Sequence, residues 1–231
     1  MEEEALHFKK LFEEPFIHGK HMSSFFLEKG RIDLLVTGIG MVNSTFETTA
    51  HLLNNIRPIA IINYGCVGAH CPKLRINDIV IGGASIPIAH TITYKNGKIR
   101  EFYGVREFDN SSTKKFHSDS NLLFISEYVT DNSKFSYSVG NVASSDTWNA
   151  DIETVEYIRK LCGTVCEDME SAAIAQVSQK FGIPYICIKD VSNSVHHPTR
   201  EEFEPFDHVV PKNSGQRSSL ITYMVCNILL S

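Results

Sequence analysis

The chain has 231 residues, of which 42% are hydrophobic and 21% charged, and its formal net charge is −5. These values are typical of a globular protein with one full core, so we expect residues 1–231 to form a single domain. The acidic balance argues against nucleic acid as a partner, and no apolar run approaches the roughly 20 residues of a membrane span. The six cysteines show no paired metal spacing and several lie in apolar runs, which predicts reduced thiols in a cytoplasmic protein.

Apolar strand-like segments alternate with helical stretches along the chain. The helix after the first predicted strand has Ser44 and Glu47 at the spacing of a capping box and ends near Asn54. Near-continuous apolar strands between helices predict an α/β fold whose central sheet is mostly parallel or mixed and is covered on both faces. We expect a surface loop from about residue 104 to 120, and strands at residues 32–36, 59–63, 79–81, 138–143 and 185–188.

The most informative segment lies at residues 167–175. Apolar side chains recur every four positions from Met169 to Phe181, which predicts a helix packed on a core, and Gly182 offers its C-terminal stop. Glu170 stands at the start of this helix, where a carboxylate can accept two hydrogen bonds from the adjacent hydroxyls of a ribose. A solvated acidic helix start, favoured by the helix dipole, is the alternative.

Two glycine clusters follow predicted strands. Gly38 and Gly40 form one, and Gly65 and Gly68 form the other. Open α/β sheets bind ligands where strands end, and glycine lets the backbone approach a small molecule closely. Tight-turn packing explains the clusters equally well. Neither is a phosphate loop or a dinucleotide fingerprint, and no histidine spacing supports a metal, so we expect no cofactor and no metal.

Taken together, the motifs resemble the nucleoside phosphorylase and nucleosidase superfamily, and most closely the methylthioadenosine/S-adenosylhomocysteine nucleosidases, including their plant type. The resemblance implies one domain with a three-layer α/β/α fold that binds a purine nucleoside. The matching residues occur in family order at 1–5, 37–40, 63–68, 145–146, 167–170 and 191–193, with a plant-type segment at 198–203.

The resemblance also implies roles in hydrolysis of the N-glycosidic bond. Glu4 matches the family's water-activating glutamate, and Glu170, with Met169, is expected to hold the ribose. Trp148 stands where the family stacks an aromatic on the base, although it is equally suited to a core. The other residues of the expected substrate site are Ile39, Cys66, Gly68, Asp168, Ser192 and Phe203.

Hydrolysis is favoured over phosphorolysis at the second glycine turn. The phosphorylases carry an arginine and a serine there, whereas this chain has Asn63 and Cys66. Without a fixed guanidinium a phosphate lacks its bidentate partner, and we interpret nearby Arg75 as a surface charge. Water is therefore the expected nucleophile, and a purine nucleoside phosphorylase remains an alternative.

Asn193 departs from the family pattern, because the methylthioadenosine-cleaving enzymes carry an aspartate there as the general acid to purine N7. An amide cannot donate a proton in this way, so an acid contribution of about 10²–10⁴ is in question. Its NH₂ and carbonyl suit a 6-oxopurine, whose N7 and O6 accept and whose N1–H donates. The alternatives are a turn asparagine without a ligand and a catalytically impaired relative that binds nucleosides for storage or sensing.

The resemblance further implies a strand before the first motif and a homodimer. This sequence begins at Met1, so we expect Glu4 near a mobile terminus; an upstream start and a shortened member with a weakened base both stay open. For the dimer we expect an exposed apolar patch formed by residues 86–89 and 102–105. The alternative is that these residues cover the sheet.

Overall fold

The fold is described from a computed structural model of the chain. It describes residues 1–12, 17–19, 21–89, 91–93, 99–102, 105–106, 112–113, 115–197 and 213–231. Within these ranges, no helix is both long enough and apolar enough to cross a membrane.

The described residues contain six helices and thirteen strands. The helices are α1 (Glu2–Lys9), α2 (Met41–Asn54), α3 (Ser120–Asp131), α4 (Ile152–Cys162), α5 (Ser171–Phe181) and α6 (Gln216–Leu229). The strands are β1 (Ile17–His18), β2 (Met22–Leu27), β3 (Gly30–Leu35), β4 (Ile61–Ala69), β5 (Ile79–Pro87), β6 (Thr91–Thr93), β7 (Ile99–Phe102), β8 (Val105–Arg106), β9 (Ser112–Thr113), β10 (Phe116–His117), β11 (Tyr137–Ser144), β12 (Thr164–Asp168) and β13 (Tyr185–Ser194).

The central sheet is mixed and closes on itself. Its strand order is β10-β5-β11-β12-β4-β13, and β13 also pairs with β5. The pairs β5–β11, β11–β12 and β4–β13 are parallel, whereas β12–β4, β13–β5 and β10–β5 are antiparallel. Strands β1, β2 and β3 form a separate antiparallel sheet.

Alternate side chains of the central strands supply two different cores. Val80 and Cys187 pack with Ile174 of α5 on one face. Ile81 and Ile188 pack on the other face with residues of α3 and α6. Because successive side chains of a strand point to opposite faces, helices cover both sides of the sheet, as in a three-layer α/β/α fold. The predicted fold class is confirmed.

The structure corrects the predicted start of the second helix. α2 begins at Met41 after Gly40, whose φ of 97° favours glycine. Ser44 therefore lies inside the helix, and its hydroxyl donates to the Met41 carbonyl rather than forming a capping box with Glu47. This one-turn shift leaves the N–H groups of Gly40 and Met41 available to side chains from elsewhere in the chain.

The predicted apolar surface patch is wrong where the structure describes it. Ile86 and Ile88 are 4% and 5% exposed and pack with Ala143 and Ile158 in the core. These residues cover the sheet, as the alternative interpretation held. In the second half of the patch, the structure describes the backbone of residues 102 and 105 but not their side chains.

The predicted surface loop at 104–120 is interrupted by secondary structure. The short strands β8, β9 and β10 lie within it, and α3 begins at its end. Residues 104, 107–111 and 114 of this segment lie outside the described residues.

Candidate active site

A cavity of about 780 Å³ opens where β4, β12 and β13 end. Such strand ends are the usual ligand site of α/β sheets. The cavity extends beyond these strand ends into an apolar groove between β3 and the first half of β4. Near the strand ends it is lined by expected site residues from seven elements or loops: Glu4, Ile39, Cys66, Gly68, Trp148, Asp168, Met169, Glu170, Ser192 and Asn193.

Glu170 is held against the first glycine cluster. It is the N-cap residue of α5, and its Oε1 accepts a hydrogen bond of 2.8 Å from the Gly40 N–H. Burial and the neighbouring Asp168 carboxylate raise the pKa of Glu170 to about 7, against the opposing effects of Lys189 and the Gly40 N–H. The carboxylate therefore changes charge within the physiological pH range.

Asp168 is committed to contacts within the protein. Its Oδ1 accepts from the hydroxyl of Ser144 at 2.7 Å and from the N–H of Ser171 at 3.1 Å. Its Oδ2 accepts from the Ser171 hydroxyl and lies 3.1 Å from Nζ of Lys189. A carboxylate with these partners positions the start of α5, and hence Glu170, below the cavity.

Lys189 is the functional residue that the motifs did not reveal. It is 2% exposed, lies on β13 and donates to Oδ1 of Asn63 at 3.2 Å. Burial lowers the pKa of Lys189, but the carboxylates of Asp168, Glu170 and Glu4 outweigh this effect and raise it above its usual value. The lysine is thus a buried cation beneath three carboxylates. A single lysine inside an apolar strand was the available signal, because lysine is rarely fully buried without a partner.

Glu4 projects from α1 against the second glycine cluster. Its Oε1 accepts from the Cys66 N–H at 2.9 Å, and its Oε2 contacts the Met1 amino group. Burial would raise the pKa of Glu4, but the Met1 amino group, Lys189 and the Cys66 N–H together lower it. α1 is packed through Ala5 and Phe8, so Glu4 belongs to an anchored helix rather than a free end.

Glycine is required on both sides of the Glu4 side chain. A Cβ on Gly65 would lie 2.7 Å from Oε1 of Glu4, and one on Gly215 would lie 2.9 Å from its Cγ. Both glycines have positive φ, at 146° and 83°. Gly65 of the second glycine cluster thus allows close packing of the Glu4 carboxylate as well as an unusual backbone conformation.

Asn193 and Trp148 also line the cavity. The hydroxyl of Ser192 donates to Oδ1 of Asn193 at 2.9 Å, and a Cβ on Gly68 would lie 3.2 Å from its Nδ2. Gly68 therefore leaves room for the amide to face the cavity. Trp148 is 39% exposed and lies on the cavity rim rather than in the core.

The remaining expected residues differ in exposure. Ile39 is 51% exposed at the rim, Met169 is half-buried, and burial raises the pKa of the Cys66 thiol. Phe203 lies outside the described residues. Among the residues described, no group of three or more His, Cys, Asp or Glu side chains is arranged to hold a metal ion.

Comparison with known proteins identifies the family. The family model of the phosphorylase superfamily matches residues 1–225, so the chain belongs to this superfamily, as the motifs suggested. A 5′-methylthioadenosine/S-adenosylhomocysteine nucleosidase of Geobacillus kaustophilus is 30% identical over 197 residues, which are 81% of this chain and 80% of the relative.

Solved structures have the same fold. The futalosine hydrolase of Helicobacter pylori is 21% identical with a TM-score of 0.79, covering 99% of this chain and 94% of its own. A mutant of the H. pylori methylthioadenosine nucleosidase, with 5′-methylthioadenosine in its active site, is 20% identical with a TM-score of 0.79, covering 99% and 95%.

The raised pKa of Glu170 predicts pH-dependent nucleoside binding. Ribose hydroxyls donate to the ionised carboxylate, so affinity should fall as the pH decreases through about 7, by at most about tenfold per pH unit for one group. Glu170→Gln should remove this dependence and weaken nucleoside more than free base. Isothermal titration from pH 5 to 8 measures both effects.

The control for this prediction is Glu153→Gln, which removes an exposed carboxylate from α4. The nearby Glu167 is unsuitable as a control, because it lines the cavity and binds Asn149. A Glu170→Gln variant whose nucleoside affinity and pH profile match those of the parent would remove Glu170 from the site.

Proposed function

We propose that this chain is a nucleosidase that hydrolyses the N-glycosidic bond of a purine nucleoside, releasing free base and sugar. The substrate is a methylthioadenosine/S-adenosylhomocysteine-like or a 6-oxopurine nucleoside. One observation carries the proposal: Glu4 and Glu170 approach one cavity from two different elements, joined electrostatically through Lys189. The nucleosidase at 30% identity supports the same reaction class.

The carboxylates suit the charge that develops in this reaction. Cleavage of the glycosidic bond places positive charge on the ribose, and preorganised negative groups stabilise such charge. Glu170 accepts hydrogen bonds from the ribose hydroxyls. Glu4, whose pKa is lowered, stays ionised at neutral pH and accepts a proton from the attacking water. Trp148 stacks on the base.

Water is a better nucleophile here than phosphate. Lys189 is a cation beneath the cavity, but its Nζ lies 3.1 Å from Oδ2 of Asp168. The carboxylates of Glu4 and Glu170 also act electrostatically on Lys189. When Glu170 is ionised, it adds to the negative charges of Glu4 and Asp168. These three charges outweigh the two cations, Lys189 and the Met1 amino group, so the cluster repels a phosphate dianion. The same charge leaves a neutral water unaffected, which supports hydrolysis over phosphorolysis.

The proposal includes the cell compartment and the domain organisation. All six cysteines are free thiols, which supports a cytoplasmic location, where thiols are kept reduced. The family model spans residues 1–225, which supports one phosphorylase-like domain.

The proposed reaction predicts adenine release from methylthioadenosine in phosphate-free buffer, measured by chromatography. Glu4→Gln should lower kcat by about 10²–10⁴, since general base catalysis contributes this much. Glu3→Gln, an exposed neighbour on the same helix, is the control and should leave kcat unchanged. Release that requires phosphate would indicate a phosphorylase, and binding without release would indicate a storage or sensing protein.

Because residue 193 is an amide rather than a carboxylic acid, we expect Asn193→Asp to raise activity. Asn193→Asp places a carboxylic acid where the amide faces the cavity, so kcat for methylthioadenosine should rise at least about tenfold, a part of the acid contribution. Steady-state rates with methylthioadenosine and inosine test this, with the exposed Asn121→Asp as the matched control. Fast cleavage by the parent that the substitution slows would refute the role assigned to Asn193.

We also propose that two copies of this chain form a dimer through α2. This helix packs on α5 on one side and exposes Val42, Phe46 and Leu53 on the other, at 76%, 66% and 69%. These positions lie close to one face of a helix. Ile39 extends the stripe to the cavity rim and Ile56, 77% exposed, extends it beyond the helix. A large exposed apolar stripe marks an interface, and a two-fold dimer is the commonest solution.

The dimer predicts a sedimenting species of twice the chain mass of 25.9 kDa at micromolar concentration. Phe46→Glu should convert it to the monomer, because a charge in an apolar interface lacks a partner. The control Phe124→Glu alters a side chain on α3 that is 71% exposed and should leave the dimer intact. A parent protein that sediments as a single chain would exclude this interface.

A further inference from the structure

We propose that Glu167 is a positioning residue that fixes the Trp148 loop for base recognition, with His70 holding the Glu167 carboxylate from the buried side. This inference rests on the proposed function, since Trp148 is assigned there to the base. Glu167 has a positioning role, in which it holds Trp148 in place.

The loop that carries Trp148 connects β11 to α4. Trp148 and Thr147 are exposed on the cavity rim, while Asn149 is half-buried. On one side of Trp148, Oδ1 of Asp146 accepts from the Met41 N–H at 2.7 Å. On the other side, Asn149 makes two hydrogen bonds to Glu167.

The contact between Asn149 and Glu167 is bidentate. The backbone N–H of Asn149 donates to Oε1 at 3.0 Å, and its Nδ2 donates to Oε2 at 2.7 Å. Two parallel bonds to one carboxylate restrict both the position and the orientation of the peptide next to Trp148. Hydrogen bonds to a carboxylate are stronger than bonds between neutral groups.

His70 occupies the other side of the same carboxylate. Its ring is 1% exposed, its Nδ1 lies 2.8 Å from Oγ1 of Thr164, and its Nε2 lies 3.1 Å from Oε2 of Glu167. The Nε2 contact is too oblique for a hydrogen bond, and this buried nitrogen has no other partner among the described residues. The packed imidazole therefore limits where the Glu167 side chain can move.

Glu167 and Asp168 are neighbours at the end of β12, and each holds a different part of the proposed site in position. Asp168 holds Lys189 and the start of α5, at the sugar end of the proposed site. Glu167 holds the loop at the base end. Stacking on Trp148 acts on bound substrate and transition state alike, so loss of the anchor should weaken binding and leave kcat nearly unchanged.

Trp148 is the only tryptophan of the chain, so its fluorescence reports this loop directly. Glu167→Gln puts an NH₂ group opposite the donors of Asn149. In the ligand-free protein it should increase quenching of Trp148 by acrylamide. It should also raise the KM for methylthioadenosine and the dissociation constant for adenine about tenfold, with kcat within about twofold of the parent.

Exchanging the carboxylate and the amide between positions 167 and 149 distinguishes a positioning role from general damage to the fold. In the double variant Glu167→Gln with Asn149→Asp, the glutamine carbonyl can accept from the backbone N–H and its NH₂ can donate to the new carboxylate. Acrylamide quenching and adenine affinity should return toward parental values. Asn149→Ser, which keeps only the backbone bond, should give an intermediate effect, and Glu153→Gln should give none.

The fluorescence and binding results distinguish failure of base binding at Trp148 from failure of the positioning role of Glu167. If adenine leaves the Trp148 emission of the parent unchanged, base binding at Trp148 fails, while acrylamide quenching still reports whether Glu167 anchors the loop. If adenine quenches the parent and Glu167→Gln equally, with the same affinity and KM, the positioning role of Glu167 is overturned. A swap that fails to restore folded Glu167→Gln protein overturns it as well.

Discussion

The buried ion pair between Lys189 and Asp168 is the constraint on which the rest of the site depends. Both side chains are almost completely buried, and Asp168 also binds Ser144 and Ser171. Loss of one partner of such a pair costs about 3–5 kcal/mol, because the other charge is left uncompensated. This pair ties β13 to β12 and to the start of α5, so the position of Glu170 follows from it.

Much of the fold was predictable, because its strands are buried on both faces. The predicted strand at residues 185–188 is the start of β13, and the helix ending at Gly182 is α5, whose C-cap glycine has φ of 62°. Both follow from local periodicity and cap chemistry. The start of α2 was predicted wrongly because the polar Ser44 and Glu47 mimic a cap, whereas the N-cap residue is Gly40, which has no side chain.

The network within the site was not predictable from local patterns. Contacts such as Lys189 to Asn63 and Glu167 to His70 join residues on strands, or directly after one, that only the sheet topology brings together. The resemblance to relatives indicated which residues are expected to contact a substrate, but it did not indicate which residues hold them in position. Glu167 was therefore given no role in the sequence analysis, although it contacts both Asn149 and His70.

The distribution of charge gives the two ends of the proposed site different chemistry. Carboxylates gather around Lys189 at the end occupied by Glu4 and Glu170, where cleavage would place positive charge on the sugar. At the other end, Asn193 offers a neutral amide to the departing base. Stabilisation of the sugar cation is thus built in, whereas protonation of the base has no carboxylic acid at this position. This arrangement favours a nucleoside substrate whose base leaves well without N7 protonation by the protein.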